Sequence, residues 1–61
     1  MRRVYARSLR SGMSFEHGDV AYVVLTVCVD TNTVRMRCYG ALTGREVDLQ
    51  FAPWQLIQLT P

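Results

Sequence analysis

From Val34 to Tyr39, and again from Glu46 to Phe51, apolar and polar residues alternate one for one. A period of two places successive side chains on opposite faces of a β-strand. Helical periodicity is weak everywhere in the chain. Val34, Met36 and Cys38 therefore belong to one face, and Arg35, Arg37 and Tyr39 to the other. The next strand divides in the same way, with Val47, Leu49 and Phe51 inward and Glu46, Asp48 and Gln50 outward.

Turn signals cut the remainder into short pieces. Ser11-Gly12 follows a loosely alternating run from Val4, and His17-Gly18-Asp19 follows Met13–Glu16. Asp30–Thr33 separates "VAYVVLTVCV" from the first alternating strand, and Thr43-Gly44 separates the two alternating strands. Gly18 and Asn32 are the expected positive-φ positions. Pro53 cannot donate to a ladder, so Ala52-Pro53-Trp54 ends a strand, with a short helical turn expected there. "LIQLT" closes the chain as a final short strand. Short strands at this spacing predict a small five-stranded barrel, all-β and a single domain over residues 1–61, with residues 1–10 a basic segment that is a candidate first strand.

A hairpin centred between Thr31 and Asn32 sets the register. Val29 then faces Val34, Val27 faces Met36 and Leu25 faces Cys38. The expected core is Phe15, Val23, Leu25, Val27, Val34, Met36, Cys38, Val47, Leu49, Phe51 and Leu56, with Trp54 packed as a plug. The outer face of the long strand would carry Tyr22, Val24, Thr26 and Cys28, with Tyr22 near Tyr39. Cys28 and Cys38 then point to opposite faces and cannot be bridged, which predicts two free thiols.

A chain of 61 residues leaves little interior. It buries only about 60% of the surface its unfolded form exposes. One histidine and two cysteines do not make a zinc site, so no metal and no cofactor are expected. The longest apolar run, Val20–Val29, is too short to span a bilayer as a helix, and the basic N-terminus is not followed by a signal core. No membrane association is expected, and a reducing, cytoplasmic location is the default.

The net charge of +2 is unevenly spread. Arg2, Arg3, Arg7 and Arg10 lie in the first ten residues without an acid, and there is no lysine anywhere. Arginine grips phosphate and carboxylate in a bidentate way and stacks on aromatic rings.

"LRSGM", the glycine turn in "HGDVAYVV", and "LTGREVDLQF" together resemble the N-terminal domain of elongation factor P and its relatives, over roughly Leu9 to Phe51. Small proteins of bacteriophages and actinobacteria have a similar pattern. The resemblance implies an SH3-like barrel. It does not imply the translation factor's activity. In that family a modified lysine sits on a glycine-rich hairpin loop; here the corresponding loop is Asp30-Thr31-Asn32-Thr33.

No catalytic constellation is expected. Glu16, His17 and Asp19 cluster in a turn open to solvent, and no small-molecule substrate is implied. The leading expectation is a non-catalytic interaction module. Its apolar face of Tyr22, Val24, Thr26 and Tyr39, rimmed by arginine, would bind another protein or a second copy of itself as a homo-oligomer, most simply a symmetric dimer. The alternative is nucleic-acid binding through Arg35, Arg37 and Tyr39, extended by Arg2, Arg3, Arg7 and Arg10.

Overall fold

The computed structural model describes residues 2–61. Its strands are β1 (Arg3–Tyr5), β2 (Ser14–His17), β3 (Val20–Val29), β4 (Val34–Gly40), β5 (Glu46–Phe51) and β6 (Leu56–Leu59). They form one antiparallel sheet of six strands in the order β1-β6-β2-β3-β4-β5. The sixth strand comes from the N-terminal segment, where Arg3, Val4 and Tyr5 pair with Gln58, Ile57 and Leu56. The expected helical turn at Pro53-Trp54 is a plain turn. The short helical stretch lies instead at Ala6–Ser8.

No ladder joins β1 to β5, so the sheet is open, with these two strands as its edges. It nevertheless curls strongly. Phe51 on β5 meets the Phe15 ring of β2 edge-on at 6.1 Å and the His17 ring at 5.1 Å. Aromatic pairs at right angles set the positive edge of one ring against the negative face of the other.

The hairpins follow local chemistry. His17 pairs with Val20 across a two-residue turn in which Gly18 and Asp19 both have positive φ, 59° and 66°. That is the primed turn whose twist matches the flanking strands. Between β3 and β4 the Asp30 N–H donates to the Thr33 carbonyl at 2.8 Å, and Val29 faces Val34 as the sequence predicts. Asn32 does not take positive φ; among the described non-glycine residues only Asp19 does. A four-residue loop closed by Asp30 and Thr33 needs no left-handed residue at that position.

One irregularity reorganises the long strand. Val29, Val27 and Thr26 face Val34, Met36 and Arg37, but Val24 then faces Cys38. Leu25 is the extra residue of a β-bulge, which shifts the register by one and reverses the facing of everything before it. The predicted Leu25–Cys38 pair is thus replaced by Val24–Cys38, and Val24 is 1% exposed. The loop before β2 holds the bulge. The Gly12 N–H donates to the Val24 carbonyl at 2.8 Å, the Val24 N–H donates to the Met13 carbonyl at 2.9 Å, and the Ser11 hydroxyl donates to the Leu25 carbonyl at 2.7 Å.

The core consists of Ala6, Leu9, Phe15, Val24, Val34, Met36, Cys38, Phe51 and Ile57. Val4, Met13, Tyr22, Val27, Val47, Leu49 and Leu59 pack around it. Val23 and Leu25, expected inside, are only half-buried and stand outside this cluster, which follows from the bulge. Leu56 is 54% exposed because β6 turns Ile57 inward instead. Trp54 is 62% exposed rather than a plug, and the adjacent Pro53 is buried in its place.

Candidate interaction surface

The outer face of β3–β4–β5 carries two rungs of side chains. Cys28, Arg35 and Gln50 form one, and Thr26, Arg37 and Asp48 the other. Between them runs the backbone of Val27, Met36 and Leu49, whose side chains face the core cluster. These nine residues line a trough of about 490 Å³. Its arginines are already occupied. Arg37 donates from Nε to Glu46 at 2.8 Å and from Nη1 to Asp48 at 3.0 Å, and Arg35 donates to Asp30 at 3.2 Å. The hydrogen bond to Glu46, then the charges of Asp48 and Glu46, hold the Arg37 guanidinium even more firmly protonated than usual. Three carboxylates therefore meet the two arginines of the nucleic-acid expectation.

The apolar outer face built on Tyr22 and Val24 does not exist. Both lie on the inner side because the bulge reverses the first half of β3. Val24 is in the core, and Tyr22 is half-buried with its ring 5.7 Å from that of Phe15. Thr26 is exposed beside Arg37, and Tyr39 is half-buried between Val23 and Glu46. The four residues Tyr22, Val24, Thr26 and Tyr39 are thus divided between two faces. A symmetric dimer through that set has no surface to use.

A different face is assembled where the chain ends meet. Tyr5 stands opposite Leu56 across β1–β6, and they are 44% and 54% exposed. The Arg7 N–H donates to the Pro53 carbonyl at 3.1 Å, and the Ala6 N–H donates to that of Gln55 at 2.8 Å. These bonds bring the turn carrying Trp54 alongside Arg7. The Arg7 guanidinium lies over the Tyr5 ring, 4.7 Å from its centre. Tyr5, Leu56 and the stacked Arg7 thus share an exposed surface, and the exposed Trp54 lies on the turn that adjoins it.

Charge singles out the same face. Residues 1–13 hold four arginines and no acid, and residues 51–61 hold no charged side chain. Among the described residues, Arg2, Arg3, Arg7 and Arg10 form no salt bridge. Arg10 is the structural one of the four: its Nη1 donates to the carbonyls of Arg7 and Leu9 at 3.1 and 2.9 Å and ties the loop. Arg2, Arg3 and Arg7 are exposed. The nearest acid by register is Glu16, opposite Gln58 on the far side of β6. Sequence reasoning found these arginines but missed Tyr5, Trp54 and Leu56. The available signal was that both terminal segments lack acids and would pair if each formed a strand.

The turn cluster does not converge. Glu16 faces outward, where its carboxylate accepts from Gln58 at 3.5 Å, while His17 turns inward onto Phe51. Cys28 and Cys38 are free thiols, Cys28 exposed and Cys38 buried, as the facing argument predicts. Burial, and to a lesser degree the Asp48 charge, pushes the Cys38 thiol up to about 11. No helix among the described residues is long and apolar enough to cross a membrane. No protein-family model matches the chain, and no curated protein is significantly similar to it.

Proposed function

We propose that this chain is a small non-catalytic interaction module of SH3-like type. It binds a protein partner through the face made by Tyr5, Arg7, Trp54 and Leu56, with Arg2 and Arg3 as its rim. The observation that carries this reading is the exposure of Trp54, 62%, beside the exposed Tyr5–Leu56 pair. Tryptophan, tyrosine and arginine are the residues most enriched at the energetic centres of protein interfaces. The curl of the sheet and the order of β2–β6 support the SH3-like assignment and the likeness to the N-terminal domain of elongation factor P. An exposed free thiol at Cys28 fits a reducing, cytoplasmic setting.

Nucleic-acid binding is the second reading, favoured by the acid-free arginines. Protein is placed first because Arg7 already covers one side of the Tyr5 ring, and because Leu56 offers no plane for a base to stack on. Arg35 and Arg37 contribute little to either reading while Asp30, Glu46 and Asp48 hold them.

Trp54 is the only tryptophan, so its emission reports on this face alone. Selection from a random peptide library, followed by titration of the enriched peptides against Trp54 fluorescence, tests the proposal. A consensus that is lost with Trp54→Ala supports it. No enrichment, together with steeply salt-dependent binding of oligonucleotides, replaces it with the nucleic-acid reading.

A further inference from the structure

The face is not only a patch of side chains, because β1 is also an open edge. The Leu59 N–H donates to the Arg2 carbonyl at 2.9 Å, and the Ala6 N–H to the Gln55 carbonyl at 2.8 Å. In an antiparallel ladder the hydrogen-bonded positions alternate. Arg2, Val4 and Ala6 therefore turn their backbone groups toward β6. Arg3 and Tyr5 turn theirs the other way, and no strand lies on that side. Two N–H donors and two carbonyl acceptors are presented in a row.

We propose that the partner segment adds to β1 as a further strand, and that it is an extended acidic segment with a carboxylate and an apolar side chain two residues apart, on one face of the strand. This rests on the protein-binding reading of the same face. Three features coincide there. The backbone of Arg3 and Tyr5 supplies the ladder, in the manner of strand addition to a sheet edge. Alternate side chains of the incoming strand lie beside those of Arg3 and Tyr5, on the outer face. A carboxylate at one such position meets Arg3, which has no acid partner, and an apolar side chain at the next meets Tyr5 and Leu56. The charge complementarity is local and strong, since no acid lies in either terminal segment. The other open edge, β5, is guarded differently: Glu46 and Asp48 point outward along it and are held by Arg37. Charged side chains are a common protection of an edge strand. The edge at β1 carries no carboxylate to repel an acidic strand.

The test uses the wild-type protein and three capped hexapeptides. One carries glutamate and leucine two residues apart with threonine between them, so that both face the same side as Arg3 and Tyr5. The second has lysine in place of glutamate. The third is the glutamate peptide N-methylated along the edge that would face β1. The first peptide is expected to shift Trp54 emission and to slow amide hydrogen exchange at Arg3 and Tyr5 by about tenfold or more. The second and third are expected to bind at least about tenfold more weakly. Binding with unchanged exchange at Arg3 and Tyr5, or equal binding of the N-methylated peptide, overturns strand addition and leaves the protein-binding face standing. Equal binding of the lysine peptide overturns the acidic assignment. Failure of all three peptides, with tight binding of single-stranded oligonucleotides, overturns this inference and the protein reading together.

Discussion

The hydroxyl of Ser11 donates to the carbonyl of Leu25 at 2.7 Å, and Leu25 is the residue at which β3 slips against β4. A carbonyl displaced from its ladder needs another donor, and Ser11 provides it. Ser11→Ala should cost about 1 kcal/mol, the net worth of an ordinary intramolecular hydrogen bond. Urea unfolding followed by circular dichroism measures this. An unchanged midpoint would show that the bulge is held by packing alone.

Val24 gives a sharper test of the same irregularity. Burying a valine contributes roughly 1.5–3 kcal/mol, so Val24→Ala should lower stability by a substantial fraction of that. Val24→Glu should abolish the native fold, because an unpaired carboxylate in the core exceeds what a domain of this size can tolerate. Thr26→Glu, on the outer face opposite Arg37, should fold normally. A folded Val24→Glu variant would place Val24 outside and restore the register without a bulge.

The β2–β3 turn contains a non-glycine residue at φ 66°. An L side chain costs roughly 1–2 kcal/mol in that region, less for aspartate, and glycine pays none of this steric cost. Asp19→Gly should therefore raise the thermal midpoint slightly, and Asp19→Val should lower it by several degrees. The reverse order would mean that the turn is not of the primed type.

Cys38 predicts a pH dependence. Its thiol titrates at about 11 in the folded chain against 9.0 ordinarily, so the folded state favours the protonated form. The resulting contribution is fully present below pH 9, and it is lost as pH rises from there through about 11. Two units correspond to roughly 2–3 kcal/mol at most. Comparing the wild type with Cys38→Val at pH 7.5 and 10.5 isolates it, since the tyrosines are common to both. A wild type that loses no more stability than Cys38→Val between these conditions would contradict the burial of the thiol. Cys28, exposed, should react with a thiol reagent in the native state while Cys38 waits for unfolding.

The two sets of arginines should separate functionally. Arg3→Ala with Arg7→Ala should weaken binding of the glutamate peptide by about tenfold and flatten its salt dependence. Arg35→Ala with Arg37→Ala should change it less than about twofold, because those guanidinium groups face Asp30, Glu46 and Asp48. Titration at low and high salt distinguishes the two outcomes, and an equal loss in both variants would move the site to the outer face of β4.

Strict alternation in β4 and β5 was enough to assign their faces, and the centre of the Asp30–Thr33 hairpin placed Val29 opposite Val34. The same reasoning failed four residues upstream of the end of that hairpin's first strand, at Leu25. Val20–Val29 is apolar throughout almost its whole length, so a one-residue slip leaves its pattern unchanged, and only Cys38 opposite Val24 reveals it. Leu56 against Ile57 was misread for a related reason, as two adjacent apolar residues carry no parity. Trp54 was misplaced by treating a tryptophan as interior by default, when the buried neighbour is Pro53. The interaction face was hidden because it needs two segments from opposite ends of the chain, neither of which is distinctive alone.

Pairing the acid-free ends of the chain also gives the molecule an electrical direction. The terminal segments carry +4 and residues 14–50 carry −2, so the centres of positive and negative charge are displaced from one another. A body with such a dipole moment turns in the field of an approaching polyanion before the two touch. An encounter with an acidic partner would then begin with the β1–β6 side leading. The advantage would appear in the association rate and fade as the ionic strength rises, while the dissociation rate, set by Tyr5, Trp54 and Leu56, would hardly change.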